Sequence, residues 1–191
     1  SKAFLDKFSH YRQQIDTLRN QNKAYDDAKT FADDIKAAKQ ALKDAEDTIL
    51  RNIESMINSQ MTRYNDFVYN QTRKAPEINL FDGTRYEFTT PDDTGTGTSY
   101  KSLIVFDLSI LKLTQLPTLI HDSLIFNDIG YAPLEKIMEL YTQSSKQIFI
   151  AFDKKEAPTK AIQKILDSAS ILHLSSDGNE LFGAVSYTHL T

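Results

Sequence analysis

The sequence contains no cysteine and no tryptophan, and neither proline nor glycine occurs before Pro76. Without cysteine the chain forms neither disulfides nor thiolate metal sites, which is typical of a reducing compartment, so we expect a cytoplasmic location. Apolar runs stay short of the roughly 18 residues that span a membrane, and no signal peptide opens the chain. We therefore expect no membrane partner.

The chain also lacks an excess of positive charge. Its 191 residues carry a formal net charge of -4, whereas a protein that binds nucleic acid by itself usually presents a basic surface. Charge therefore does not support DNA as a direct partner, and another part of the protein or complex would supply any such contact. A composition of 40% hydrophobic and 25% charged residues is typical of one domain with an appendage.

Residues 1–70 have the spacing of a coiled coil. A first apolar run repeats at steps of four and three residues, and a second run from Phe31 to Ile49 keeps the same alternation. The step from Tyr25 to Phe31 breaks the phase, so the segment is either one continuous helix with a phase change or a helical hairpin. The first run consists of Phe4, Phe8, Tyr11, Ile15 and Leu18. We predict a coiled-coil arm that needs a partner helix, with a compact helical bundle as the alternative.

From Pro76 onwards the pattern changes to short strands and helices, and we predict an α/β domain over residues 76–185. Two strands joined by Asp82 and Gly83 form a β-hairpin, and later strands alternate with helices, which favours a parallel sheet with helices on its faces. The predicted strands are 78–81, 86–89, 116–122, 147–152 and 170–174, and the predicted helices are 100–114, 134–141 and 159–169.

Both ends of the sequence look unnatural. The chain begins SKAFLDKF within a helical pattern and without methionine, so we expect a missing upstream part. Residues Ser186–Thr191 (SYTHLT) resemble a translated sequencing adapter. We expect this tail, including His189, to be an artefact.

The segment PDDTGTGTSYKS nearly has the layout of a phosphate loop. Such a loop needs GxxxxGK[ST], because glycine lets backbone N–H groups close around phosphate while lysine and a hydroxyl reach phosphate and Mg²⁺. Gly95, Lys101 and Ser102 are in register, but Tyr100 replaces the second glycine and disfavours the backbone conformation required. The pattern therefore does not favour a phosphate loop, and we expect Lys101 to be a solvated helix residue.

The apolar run LPTLIHDS delivers Asp122 at the end of a predicted strand. A carboxylate in this position is typical of a Walker B strand, where it holds Mg²⁺ at the carboxyl ends of parallel strands. Asp122 follows the glycine-containing loop by 25 positions, counted from Gly97, with a buried helix between them.

This order of features resembles the C-terminal half of an ABC-type ATPase head of the SMC and Rad50 kind, which a coiled coil enters from its N-terminal side. More narrowly, the GTG loop, the HDS triplet and the strand QIFIAF resemble the domain of unknown function at the C-terminal end of bacterial SMC-like ATPases. The resemblance covers roughly residues 53–183, and the GTG loop together with HDS is its most specific part.

The resemblance implies that Asp122 binds Mg²⁺ and that a signature loop contacts the γ-phosphate of ATP held by an opposing head. The loop residues implied are Thr94, Gly95, Thr96, Gly97 and Thr98. A missing N-terminal lobe would carry the phosphate-binding lysine, so this fragment alone should be inactive. A homodimer through heads and coiled coil is implied, with a role in DNA maintenance or defence.

Two departures keep alternatives open. Ser123 stands where such heads carry a glutamate that positions water, and Asp153 follows the next strand without the usual histidine. The alternative is therefore a non-catalytic interaction module with a degenerate ATPase-like lobe. His121 could contact nucleotide or metal, or be structural. A hydrolase triad of His121, Asp122 and Ser123 is disfavoured, because neighbours on a strand point to opposite faces.

Overall fold

A computed structural model describes residues 2–91, 95–153 and 158–174. Its elements are α1 (Lys2–Tyr69), β1 (Glu77–Leu80), β2 (Tyr86–Thr89), α2 (Thr96–Leu113), β3 (Thr118–His121), a 3-10 helix (Ser123–Phe126), α3 (Tyr131–Thr142), β4 (Gln147–Ile150) and α4 (Lys160–Ala169). Among the described helices, none has both the length and the hydropathy that crossing a bilayer requires. The chain divides into two compact units, Ser1–Ile53 with Leu80–Arg85 and Glu54–Asn79 with Tyr86–Thr191.

The first unit contains the larger part of α1. The helix continues through the phase change between Tyr25 and Phe31, so one helix forms here and not a helical hairpin. The absence of proline and glycine removes the residues that most often interrupt a helix. The apolar seam lies exposed, from 49% for Ile15 to 68% for Phe4. The partner helix for this seam stays a prediction.

The same unit contains the turn of the β-hairpin. Asp82 Oδ1 accepts hydrogen bonds from the backbone N–H groups of Thr84 (2.8 Å) and Arg85 (2.9 Å) and from the Thr84 hydroxyl. The hydrogen bond from the Thr84 side chain, followed by that from the Arg85 side chain, lowers the pKa of Asp82 below its ordinary value. The predicted turn residues therefore shape the turn by a side-chain bond to its backbone.

The second unit contains the hydrophobic core. Helix α2 packs against β3 and the 3-10 helix, and α3 packs against α4. The buried core residues are Val68, Ile104, Leu108, Phe126, Ile129, Leu134, Ile137, Met138, Leu140, Tyr141 and Ile162. The amide of Asn58, on the C-terminal part of α1, bonds to the backbone of Ile78 in β1. Its Nδ2 donates to Ile78 O (2.9 Å), and its Oδ1 accepts from Ile78 N (2.8 Å).

A two-stranded parallel sheet organises this unit. Strands β3 and β4 pair in parallel with Thr118 opposite Gln147 and His121 opposite Ile150. One hydrogen bond beyond the ladder, from Ala151 N to His121 O (2.9 Å), continues the pairing. The predicted parallel sheet is therefore confirmed in a smaller form. The strand predicted over 170–174 is wrong, because these residues are irregular and Ile171 is 88% exposed.

The difference in burial between Ile104 and Ile171 predicts that truncating them to alanine lowers the stability by different amounts. Ile104 of α2 is fully buried, so Ile104→Ala should lower the free energy of unfolding by about 2–5 kcal/mol through lost burial and a residual cavity. Ile171→Ala removes the same atoms from an 88% exposed residue and should change the free energy of unfolding by less than about 0.5 kcal/mol. Urea unfolding followed by circular dichroism measures both. Equal losses would contradict this placement of α2.

Candidate functional site

Asp122 directly follows strand β3 and lies at the carboxyl edge of the parallel pair β3 and β4. Asp122 is exposed and has an extended backbone, and its Oδ1 caps the 3-10 helix by accepting from Ser123 N (2.7 Å). The Ser123 hydroxyl lies 3.3 Å from the same oxygen. Within the described chain, Oδ2 accepts no hydrogen bond. Ligands of parallel α/β sheets bind at this edge, so Asp122 offers one oxygen to a cation or a water there.

The residue after Asp122 cannot replace the glutamate expected in an ATPase head. A carboxylate can accept a proton from an attacking water, whereas a serine hydroxyl is a weak base. The Ser123 Oγ also lies within hydrogen-bond distance of Asp122 Oδ1. Ser123 therefore supports the position of the Asp122 carboxylate, and nothing in its surroundings makes it a base.

His121 is buried, and its side chain lies between two hydrogen-bond partners from other elements. Its Nδ1 lies 2.6 Å from Tyr141 Oη on α3, and its Nε2 lies 3.2 Å from Asp107 Oδ2 on α2. Burial, followed by the negative charge of Asp107, raises the pKa of the Tyr141 hydroxyl above its ordinary value. His121 therefore joins three elements of the second unit and uses both ring nitrogens to do so.

This arrangement rules against the hydrolase triad considered from the sequence. A serine nucleophile needs a histidine nitrogen within hydrogen-bond reach. Both nitrogens of His121 are occupied by Asp107 and Tyr141, and Ser123 bonds to Asp122 instead. The two partners of His121 were missed in the sequence because they lie 14 and 20 residues away on different helices, and no local pattern signals them.

The glycine loop precedes α2 and forms its first turn. Gly95 is the N-cap residue and provides no side-chain cap, Thr96 is exposed, and Thr98 is 8% exposed. Thr94 lies outside the described residues. Of the predicted loop residues, therefore, Thr96 and Gly95 face solvent while Thr98 is directed into the protein.

Gly97 is where the beginning of α2 meets the connection that follows Asp122. A Cβ at position 97 would overlap the carbonyl oxygen of Asp128. The absence of a side chain thus lets two backbones approach, which is one of the specific uses of glycine. This contact brings the predicted signature loop next to the segment that begins with the predicted Mg²⁺ carboxylate.

The expectation that Lys101 is solvated is wrong. Its side chain is fully buried, its Nζ donates to Asn65 Oδ1 (3.1 Å), and the same nitrogen lies 4.9 Å from the centre of the Tyr69 ring. Asn65 Nδ2 in turn donates to Arg73 O (2.8 Å). A buried ammonium group needs such partners, and two of those of Lys101, Asn65 and Tyr69, lie on α1. Lys101 is therefore a packing residue and not a phosphate ligand.

The described residues do not form a metal site from protein side chains alone. Among them, no three His, Asp or Glu side chains are arranged to hold a metal ion. Mg²⁺ usually takes one or two carboxylates and completes its shell with water and phosphate oxygens. Asp122, with an exposed carboxylate, fits that role.

Comparison with known proteins gives a family. Residues 64–185 match the family described as an uncharacterised protein conserved in bacteria, DUF2326. The chain belongs to this family. No curated protein matches it. A solved structure from work on ATP-driven dimerization and DNA-stimulated activation of SMC ATPases is 12% identical, with a TM-score of 0.46 over 64% of this chain and 78% of that one. Likeness of this degree carries no information about activity.

The hydrogen bond between His121 and Tyr141 predicts that removing the Tyr141 hydroxyl destabilises the protein. Tyr141→Phe removes the partner of His121 Nδ1 in a buried setting and should lower the free energy of unfolding by about 1–3 kcal/mol. Tyr25→Phe makes the same change at a residue that is 72% exposed and should be neutral within about 0.5 kcal/mol. Urea unfolding of both variants measures the difference. A Tyr141→Phe protein as stable as the parent would show that this hydrogen bond does not hold β3.

The close backbone approach at Gly97 predicts that an alanine at this position destabilises the protein. Gly97→Ala should gain up to about 1 kcal/mol of helix propensity but lose about 1–3 kcal/mol to the overlap with backbone, so the net effect is destabilising. Gly83→Ala is the matched control, because nothing lies within 4 Å of a Cβ there. Thermal unfolding distinguishes them, and a stabilised Gly97→Ala variant would contradict the contact with Asp128.

Proposed function

We propose that this chain is part of an SMC/Rad50-like ATPase, in which it supplies the loop 94–98 and Asp122 to ATP held between two heads. A second lobe, with its own phosphate loop, would bind the triphosphate. The observation that carries the proposal is the position of Asp122, exposed at the carboxyl end of a parallel strand with Oδ2 unbonded within the described chain.

The proposed role of Asp122 follows from its hydrogen bonds. The backbone N–H of Ser123 holds Oδ1, so the carboxylate has a defined orientation before any ligand arrives. Mg²⁺, when bound with ATP, would neutralise phosphate charge, and Asp122 would fix it directly or through water. Because the 3-10 helix begins at Ser123, the carboxylate is attached to a structured element.

The proposed role of the loop follows from the beginning of α2. A helix N-terminus attracts anions through its N–H groups and its dipole, and α2 has 18 residues. The exposed Thr96 hydroxyl would add a donor to a phosphate. Since the Gly97 contact places this turn beside the connection from Asp122, a shift of one segment would move the other.

A second candidate is an interaction module without turnover. Ser123 favours it, because the serine leaves the position next to Asp122 without a base. In that case the nucleotide would regulate assembly through the exposed seam of α1 and would not be hydrolysed.

The test uses the complete head, in which this chain is combined with a lobe that carries an intact phosphate loop. Asp122→Asn should lower Mg²⁺-dependent ATP binding and single-turnover hydrolysis by at least about tenfold, because even residues that only support metal ligands cost that much. The isolated chain should hydrolyse no ATP.

Asp128→Asn is the control, since Asp128 is an exposed acid on the connection that follows the 3-10 helix. ATP binding that is indifferent to Asp122→Asn would refute the proposed Mg²⁺ ligand. Mg²⁺-dependent binding without measurable turnover would select the second candidate. Turnover that depends on Asp122 would eliminate it.

A further inference from the structure

The second unit contains a half-open cavity of about 500 Å³ between the end of α1, the C-terminal halves of α2 and α3, and the segment before β4. Cavities of this size hold small organic ligands. Because Lys146 precedes β4 whereas Asp122 follows the parallel strand β3, the cavity lies at the opposite edge of the sheet from Asp122. It is therefore separate from the candidate nucleotide site.

Gln60 contributes an amide group to the wall of this cavity. Gln60 of α1 is only 9% exposed, yet it forms no hydrogen bond with any residue that the structure describes. The amide atoms of Gln60 are not fully buried, so they can hydrogen-bond to water in the cavity. As Gln60 lines the cavity, a ligand that displaces this water can replace its hydrogen bond to the amide.

The charges around the cavity have one sign. Arg63 and Lys112 line it, and neither makes an ion pair or hydrogen bond within the described part of the chain. The third cation, Lys146, donates to the carbonyl oxygens of Leu111 and Thr114 and thereby occupies the carbonyl end of α2. None of the lining residues is acidic. Two positive side chains therefore remain for a ligand.

The remaining wall is apolar. Leu108, Leu111 and Leu140 contribute to it, together with the aromatic rings of Tyr64 and Phe67. Apolar surface next to two cations and an amide is complementary to a molecule with a hydrocarbon body and an anionic, hydrogen-bonding head.

We propose that this cavity binds a small organic anion with an apolar body, such as an alkyl carboxylate or alkyl phosphate. Arg63 and Lys112 bind the anionic head, Gln60 donates or accepts a hydrogen bond, and the leucines contact the body. The proposal is independent of the ATPase function, because none of these residues contacts Asp122.

The test uses the full chain with octanoate and octyl phosphate as probes, each below its micelle concentration, and octanol and inorganic phosphate as controls. Calorimetry gives the affinity, and amide NMR shifts at residues 60–67 and 108–112 locate the site. We expect saturable binding of both octyl anions and at least about tenfold weaker binding of octanol, which lacks the charge, and of phosphate, which lacks the apolar body.

Two charge-matched double variants test the site. Arg63→Gln with Lys112→Gln should weaken octyl anion binding by about tenfold or more, whereas Lys39→Gln with Lys43→Gln removes the same charge from exposed positions of α1 and should leave it unchanged. Both pairs are exposed, so both proteins should unfold at the parent temperature. Asp122→Asn should bind the probes as the parent does, which separates this proposal from the ATPase proposal.

Each of the following results would overturn the proposal. They are the absence of saturable binding by both octyl anions, equal affinity for octanol, and an equal loss of affinity in the two double variants. Gln60→Met, which keeps the volume but removes the amide, should weaken binding as well. An unchanged affinity in that variant, together with an unchanged affinity in Arg63→Gln with Lys112→Gln, would refute the site.

Discussion

The position of β3 depends on the hydrogen bonds of His121. A two-stranded sheet has few ladder bonds, and this pair needs side chains from neighbouring elements to hold it. His121 bonds through one nitrogen to Asp107 on α2 and through the other to Tyr141 on α3, while its carbonyl group accepts from Ala151 after β4. Since Asp122 is the next residue, the orientation of its carboxylate depends on this chain of bonds.

Helix α2 connects the parts of the second unit. Its first turn meets the segment after the 3-10 helix at Gly97, its second turn places Lys101 against Asn65 of α1, and its third turn carries Asp107 to His121. Its last carbonyl groups accept from Lys146 at the entrance to β4. Together these contacts, which include the polar side chains of Lys101 and Asp107, select one rotational setting of the helix, which apolar packing alone specifies less strictly.

The local elements that follow Pro76 were largely predictable. The turn residues Asp82 and Gly83 between two short strand-like segments predicted the hairpin, and β2 has the predicted bounds Tyr86–Thr89. The helix predicted over 159–169 is observed as α4, and the Thr159 hydroxyl at its N-cap accepts from Ile162 N (3.3 Å). These features depend on residues a few positions apart. The strand predicted over 170–174 failed because a strand also needs a neighbour to pair with, and a pattern of apolar residues does not supply one.

The sequence by itself determined most of the helical and extended segments, the apolar seam of α1, and the position of Asp122 at the end of an apolar strand. These properties follow from periodicity, turn chemistry and the distribution of proline and glycine along the chain. Only the tertiary structure decided the partners of His121, the burial of Lys101, the backbone approach at Gly97 and the cavity beside Gln60. The physical reason is that buried polar groups and close backbone contacts are satisfied by residues from other elements, and sequence spacing carries no record of which elements meet.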